Sequence, residues 1–484
     1  MHVRAYVPKR ATGVIVAELE AVNTVVAWLE TFERELLLFC AFWFVLGALD
    51  DLLVDGLWIA IKLCGKAREG SITALQARAP LRAEAAILIA AWQEEQVIGH
   101  TIRHALGVWP QQGYILYIGC YANDPGTITA AMAAAGGDPR VRVVIHASAG
   151  PTTKADCLNR LYAALCLDEE RRGARFGFLV LHDSEDMVYP AELAVYDRAL
   201  ATADYVQLPV RPEPVRGSRW VSGHYCDEFT ESHAKGMVVR DALGLGIPAA
   251  GVGCAFGRAM LDRIARVRMA GDVQGPFACE CLTEDYEMGL LVQREGGRSR
   301  FLRVRDADGE LVATRACFPA SLQASVRQKT RWILGIAFQG WDRLGWDARL
   351  RDAWMALRDR RGPLSALVLA CSYALLLTET LLAGAWLGGV YTRAPFPPLL
   401  EGLLVVCMWA FAWRVANRFA FTASEYGLGE GLCAIARIPV ANVIAIMAGR
   451  RALAAYVRSL QGTMPTWDKT QHAEHAAHHR RAGA

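Results

Sequence analysis

Hydrophobic and polar positions along the chain fall into three regimes. Between residues 70 and 310, short apolar runs alternate with amphipathic stretches, and on either side lie apolar runs long enough to cross a bilayer. In the middle region AAILIAA (Ala85–Ala91), YILYI (Tyr114–Ile118), RVVIH (Arg142–His146) and FGFLVL (Phe176–Leu181) have the length and residue types of buried strands. WQEEQVIGHTIRHALGVWP, from Trp92, and Lys154–Leu167 carry apolar residues at helical spacing. Strands alternating with helices predict βαβ units and a mostly parallel sheet, an α/β class.

The flanking regions change the picture from a soluble enzyme to a membrane protein. Leu36–Leu63 is long enough to span a membrane at about 1.5 Å per residue, yet it holds Asp50, Asp51 and Asp55. Carboxylates at that depth face a protein interior or mark function. The segment is either one helix with a polar face or a helix broken near Asp50. Lys62, Lys66 and Arg68 follow it, which places the next segment in the cytoplasm. Ser321–Trp341 mixes basic with aromatic and aliphatic residues and reads as an amphipathic helix at a membrane surface. Leu364–Val390, apolar apart from Glu379 and a few hydroxyls, and Leu399–Phe421, which carries Arg414 and Arg418, are predicted spans separated by Pro395, Pro397 and Pro398. Cys433–Met447 is shorter and holds Arg437, so it is interfacial or a third span. The tail from Gln471 is histidine-rich and reads as disordered. The expected division is 1–70 (anchor), 71–318 (catalytic), 319–362 (amphipathic helices), 363–456 (membrane helices) and 457–484 (tail).

Composition adds little. A net charge of +3 gives no basis for a nucleic-acid partner. The thirteen cysteines match neither zinc spacing nor a disulfide framework, since Cys279 and Cys281 are the only close pair. The first 20 residues lack the apolar core of a cleavable signal peptide.

The candidate chemistry sits where the strand Phe176–Leu181 ends in His182-Asp183-Ser184-Glu185-Asp186. Carboxyl ends of strands in open α/β sheets are where ligands bind. Carboxylates this crowded repel one another unless a cation lies among them, and hard oxygen ligands suit Mg²⁺ or Mn²⁺ bridging to phosphates. The plain alternative is an acidic turn capping the next helix.

Five stretches in order break that tie: AAWQEE (Ala90–Glu95), GPTTKADCLN (Gly150–Asn159), HDSEDMVYP (His182–Pro190), TED (Thr283–Asp285) and QKTRW (Gln328–Trp332). They resemble the PxYNEE, Lys-and-Asn, DAEDxxxP, TED and QxxRW motifs of processive-type family 2 glycosyltransferases with the GT-A fold. More narrowly, YANDPGT (Tyr121–Thr127), DEFTESHAKGMVVR (Asp227–Arg240) and RIPVANVIAIMAGRRA (Arg437–Ala452) are similar to the phage-adsorption protein B group of bacterial inner-membrane glycosyltransferases. The resemblance implies an inverting transferase that moves a sugar from a nucleotide-sugar, a UDP-sugar, to a growing envelope or exopolysaccharide. Its domain would be cytoplasmic on a multi-pass inner-membrane protein, with an outer-membrane export partner. The alternatives are a single transfer to a lipid phosphate and an inactive scaffold.

The resemblance also assigns roles. Asp183 with Glu185 would hold the metal, with Asp186 as the alternative ligand. Asp285 would be the catalytic base beside Glu284, although the two acids also fit a helix N-cap. Trp92, Glu94, Asp124, Lys154 and Asp183 would meet the donor. Gln328, Arg331 and Trp332 would meet diphosphate or acceptor, since a guanidinium binds phosphate bidentately and an indole offers a sugar a flat face. The acid pair that ends the family's second strand is missing here, and only Asp124 stands near its place. Members of that group often carry a further domain that binds cyclic di-GMP. The sequence ends before any such domain, which leaves regulation of that kind open.

Overall fold

The computed structural model describes residues 9–67, 69–269, 275–346, 349–389, 392–393 and 395–462. Arg68 and the histidine-rich tail lie outside them. The chain divides into two compact units: residues 1–53 with 364–416, and residues 54–363 with 417–484.

The second unit is built on a seven-stranded sheet. Its strands in chain order are β1 (Ala85–Ala90), β2 (Tyr114–Tyr121), β3 (Val141–His146), β4 (Phe178–His182), β5 (Tyr205–Gln207), β6 (Cys254–Gly257) and β7 (Ser299–Phe301). Their spatial order is β3-β2-β1-β4-β6-β5-β7, parallel except where β6 runs against both neighbours. Successive residues serve opposite faces, as strand geometry requires. Ala85, Ile87 and Ile89 pack in one core with Ile98, Ile102 and Tyr196, and Ala86 and Leu88 pack in the other with Leu158, Leu161 and Phe256. Strands buried on both faces read as continuous apolar runs, which is why β1, β2 and β4 were legible.

The helix Lys154–Arg172 covers one face. It starts at Thr153, whose hydroxyl accepts the Asp156 amide at 3.2 Å, and stops at left-handed Gly173. Gly119 in β2 lets it approach: a Cβ there would lie 2.5 Å from Cys157 Sγ. The helix expected from Trp92 starts later, at Ile98. The loop before it is held open because the Gln93 amide is donated to Asp124 Oδ2 at 2.6 Å and the Glu94 amide to Thr127 Oγ1 at 2.9 Å.

Four described helices are long and apolar enough to cross a membrane: Thr24–Leu63, Gly362–Leu387, Pro398–Tyr426 and Ile438–Leu460. The first belongs to a helix that runs unbroken from Lys9 to Leu63, so there is no break at Asp50. Several of its described acids are paired. Within the first unit Asp51 meets Arg414, and Glu33 meets Arg393, which also holds Glu379 at 2.7 Å. Within the second unit Asp55 takes Lys235 at 2.6 Å, and Trp58 Nε1 donates to Ala234 O at 2.9 Å.

Two expectations need correction. The amphipathic segment Ser321–Trp341 is the helix Leu322–Ile333 followed by a π-helical turn, Leu334–Gln339. Its apolar side is covered by protein, since Val326 packs on Ile444 and Ala448. The helix covering it, Ile438–Leu460, is longer than the segment Cys433–Met447 suggested, and Leu428–Ala436 is a separate helix before it.

Candidate active site

β4 ends between β1 and β6, at the carboxyl edge of the parallel strands, and delivers the acidic run into a cavity of about 380 Å³. His182 is fully buried, with Nδ1 3.1 Å from Asp186 Oδ2 and Nε2 2.6 Å from Glu192 Oε1. Burial alone would lower its pKa, but the Glu192 and Asp186 carboxylates outweigh it and lift His182 to about 10. Asp186 Oδ2 also accepts the Asp183 amide at 2.9 Å, so this acid fastens the end of the strand. Its second oxygen, Oδ1, is buried without a partner. Asp183 and Glu185 are the other acids of the run that line the cavity.

Lys154 reaches Asp183 from the first residue of its helix, with Nζ 2.5 Å from Asp183 Oδ1 and 3.5 Å from Gly251 O. Burial alone would lower the ammonium's pKa. Asp183, Glu284 and Asp285 together reverse that and hold it above the ordinary lysine range.

Glu284 and Asp285 open the helix Glu284–Arg294, whose N-terminal dipole favours acids. A simple capping role does not account for them, because the Thr283 side chain makes no capping bond. Burial, then Asp285, pushes Glu284 up to about 7. Burial also raises Asp285, against the pull of Lys154. Asp285 Oδ1 accepts the Tyr286 amide at 2.7 Å, and Tyr286 Oη donates to Asp359 at 2.9 Å. One turn on, Glu287 is gripped by Arg268 and by Arg343 at 2.8 Å.

The helix Leu322–Ile333 brings Gln328, Arg331 and Trp332 to the same cavity. Gln328 Oε1 is buried without a hydrogen-bond partner. Trp332 stands edge-on to Tyr225 at 6.0 Å and near Phe318 at 6.5 Å. The Gln339 carboxamide accepts the Leu282 amide at 3.0 Å and so ties this element to the TED loop.

Ten of the twelve residues singled out from sequence line this cavity: Glu94, Lys154, Asp183, Glu185, Asp186, Glu284, Asp285, Gln328, Arg331 and Trp332. Trp92 and Asp124 do not. Trp92 packs edge-on to Tyr121 at 5.2 Å and against Cys157. Asp124 caps the helix Pro125–Ala135 with one oxygen and holds the Gln93 amide with the other. The sequence reading missed Gly251, whose φ of +74° and missing Cβ make room for the Asp285 carboxylate, and Gly335, which packs on Thr283. A glycine carries no side-chain signal, so only the fold reveals what it permits.

For a divalent metal the donor set fits in kind, with Asp183 and Glu185 offering hard oxygens. Among the described residues no group of three His, Cys, Asp or Glu gathers into a metal cage. The remaining ligands would have to come from phosphate oxygens and water.

An open, mostly parallel sheet with its carboxylates at the strand ends, behind a QxxRW helix, defines a GT-A glycosyltransferase domain. The chain belongs to the glycosyltransferase-like family 2, whose model it matches across residues 83–335. It is 31% identical over 456 residues to bacteriophage adsorption protein B of Escherichia coli K12 and equally to bacteriophage N4 adsorption protein B of E. coli O157:H7. Each match covers 88% of this chain and 60% of the relative, so the chain spans 60% of the length of these curated relatives. Among solved structures, a mannosyltransferase from Pyrobaculum calidifontis in complex with GDP-Man and Mn²⁺ matches at TM-score 0.47 and 16% identity, over 88% of this chain and 99% of that one. Glucosyl-3-phosphoglycerate synthase from Mycobacterium tuberculosis matches at 0.34 and 18%, over 55% and 82%.

Proposed function

We propose that the chain is an inverting glycosyltransferase of the bacterial inner membrane that moves a sugar from a UDP-sugar to a growing envelope or exopolysaccharide. The observation that carries this reading is one cavity holding Asp183 and Glu185 with Lys154 on one side, Glu284 and Asp285 on another, and Gln328, Arg331 and Trp332 on a third. The acceptor oxygen forms a bond to the anomeric carbon while the bond from that carbon to the diphosphate breaks. The acceptor proton goes to Asp285, and the nucleoside diphosphate departs. Burial keeps Asp285 a stronger base than a solvated carboxylate, which suits it to accept that proton. Arg331 and Lys154 offer cationic contacts to phosphate oxygens, and Trp332 supplies a face for a sugar ring. A bound Mg²⁺ or Mn²⁺ would neutralise the diphosphate as it leaves, held by Asp183 and Glu185.

The domain would face the cytoplasm, where nucleotide-sugars are made, and an outer-membrane partner would receive the exported polymer. A single transfer to a lipid phosphate is the second reading, and Phe229, Met237, Phe318 and Ile336 in the cavity wall favour it. The purified chain supplied with radiolabelled UDP-sugars and Mn²⁺ should yield long glycan. Short glycolipid would select the second reading, and no transfer from any nucleotide-sugar would remove both.

A further inference from the structure

Lys154 occupies an odd position. It is the first residue of a nineteen-residue helix, where the aligned peptide dipoles disfavour a cation. Its side chain is only 18% exposed, and desolvation further disfavours an ammonium there. What holds it is Asp183, 2.5 Å away, with Glu284 and Asp285 adding their fields. The contact engages a carboxylate that the proposed function gives to the metal.

The other two acids of the run are engaged elsewhere. Asp186 takes the Asp183 main-chain amide and His182, so it is turned to the end of the strand. Glu185 Oε2 accepts the Ser184 hydroxyl at 3.2 Å. Gly251 O, 3.5 Å from Nζ, gives the ammonium a second acceptor in this pose. A monovalent side-chain cation therefore sits on the strand-end carboxylate, and a divalent ion at Asp183 would have to displace it. Like charges this close repel.

We propose that Lys154 is the resident cation of the donor-free site, so that Asp183 accepts a divalent metal only together with a nucleoside diphosphate. The phosphates give Lys154 a new anionic partner and give the metal its missing oxygen ligands, so the exchange conserves charge pairing. Lys154 thereby orders binding, with donor and metal arriving together, and keeps a bare metal from settling beside Glu284 and Asp285. This deepens the proposed function and rests on its assignment of Asp183 to the metal.

The test is Mn²⁺ binding to the purified full chain, read by electron paramagnetic resonance with and without UDP, for wild type, Lys154→Met and Asp183→Asn. Wild type should bind Mn²⁺ weakly alone and at least about tenfold more tightly with UDP, a gain of about 1.4 kcal/mol. Lys154→Met should bind Mn²⁺ without UDP at least about tenfold more tightly than wild type and lose much of the further gain from UDP. Asp183→Asn should bind it in neither state, with a cooperative thermal unfolding transition showing that it is folded. Equal metal-alone affinity in wild type and Lys154→Met would overturn the proposal while leaving the metal site standing. No Mn²⁺ binding by wild type with UDP present would instead remove the metal assignment itself.

Discussion

Two pairs of acidic residues and their neighbours, both in the catalytic unit, are handled in opposite ways. Asp227 is buried and takes Arg437 through both oxygens, at 2.7 and 2.9 Å, while Thr422 donates to it as well. Arg437 is equally buried and also reaches Glu430 at 2.7 Å and two carbonyls. Every charge there has a counter-charge in a fixed geometry, and the cluster joins the helix Gly223–Glu231 to the helices on either side of Arg437. Glu284 and Asp285 sit side by side at the head of a helix within the fields of Lys154 and Arg331, and the Lys154 ammonium rests on Asp183 instead. A buried charge that is fully paired holds a structure together. A buried charge left under-neutralised is held ready for something that arrives later.

That contrast is open to mutation. Asp227→Ala takes from buried Arg437 the carboxylate it meets through both oxygens, leaving Glu430 as its remaining acid, and should cost about 3–5 kcal/mol of stability, read as a large drop in melting temperature. Glu284→Gln should leave the melting temperature at pH 8 unchanged or higher while transfer falls, because the charged form of Glu284 is disfavoured in the fold. A marked loss of stability in Glu284→Gln would erase the distinction between the two pairs.

The same difference predicts opposite pH trends. The pKa of Glu284 is raised from 4.5 to about 7, so the folded chain binds the extra proton within that window. This group's contribution to stability is therefore present at low pH and is lost as pH rises through the window. Transfer needs a deprotonated base, and burial raises the Asp285 carboxyl as well, so its rate should fall on acidification. Melting temperature and rate measured on one pH series would show the two trends crossing. A rate that does not fall on acidification would contradict the raised acid pair. A smaller effect is expected from Tyr286→Phe, which removes the hydroxyl bonded to Asp359 at 2.9 Å. About 1 kcal/mol of stability should be lost, with a modest fall in turnover because this bond steadies the turn carrying Asp285.

Much of this was legible in the sequence, for identifiable reasons. Strands buried on both faces leave unbroken apolar runs, and charged motifs at strand and helix ends stand out against them. β4 with Asp183, and the helix starting at Glu284, were therefore found. What failed to show was what depends on distant partners. The stretch after Trp92 has helical periodicity, but hydrogen bonds from the Gln93 and Glu94 amides to Asp124 and Thr127 hold it as a loop until Ile98. The segment Ser321–Trp341 has an amphipathic pattern that suits a membrane surface equally well, and only the helix Ile438–Leu460 reveals that protein covers it. Asp186 stood as the alternative to Glu185, and its commitment to buried His182 and the Asp183 amide depends on the fold. Asp50, Asp51 and Asp55 left open whether the first apolar segment is one helix with a polar face or is broken, and ion pairs of Asp51 and Asp55 to Arg414 and Lys235 from remote segments go with the unbroken helix.

The central claim is that Asp285 is the base of a sugar transfer, and Asp285→Asn tests it most directly. The variant keeps the shape of the side chain and should keep donor binding, measured by calorimetry with UDP and Mn²⁺, within about twofold of wild type, less than 1 kcal/mol. Sugar transfer by the same preparation should fall by about 10²–10⁴-fold. Transfer at the wild-type rate by a folded, donor-binding Asp285→Asn would contradict the account.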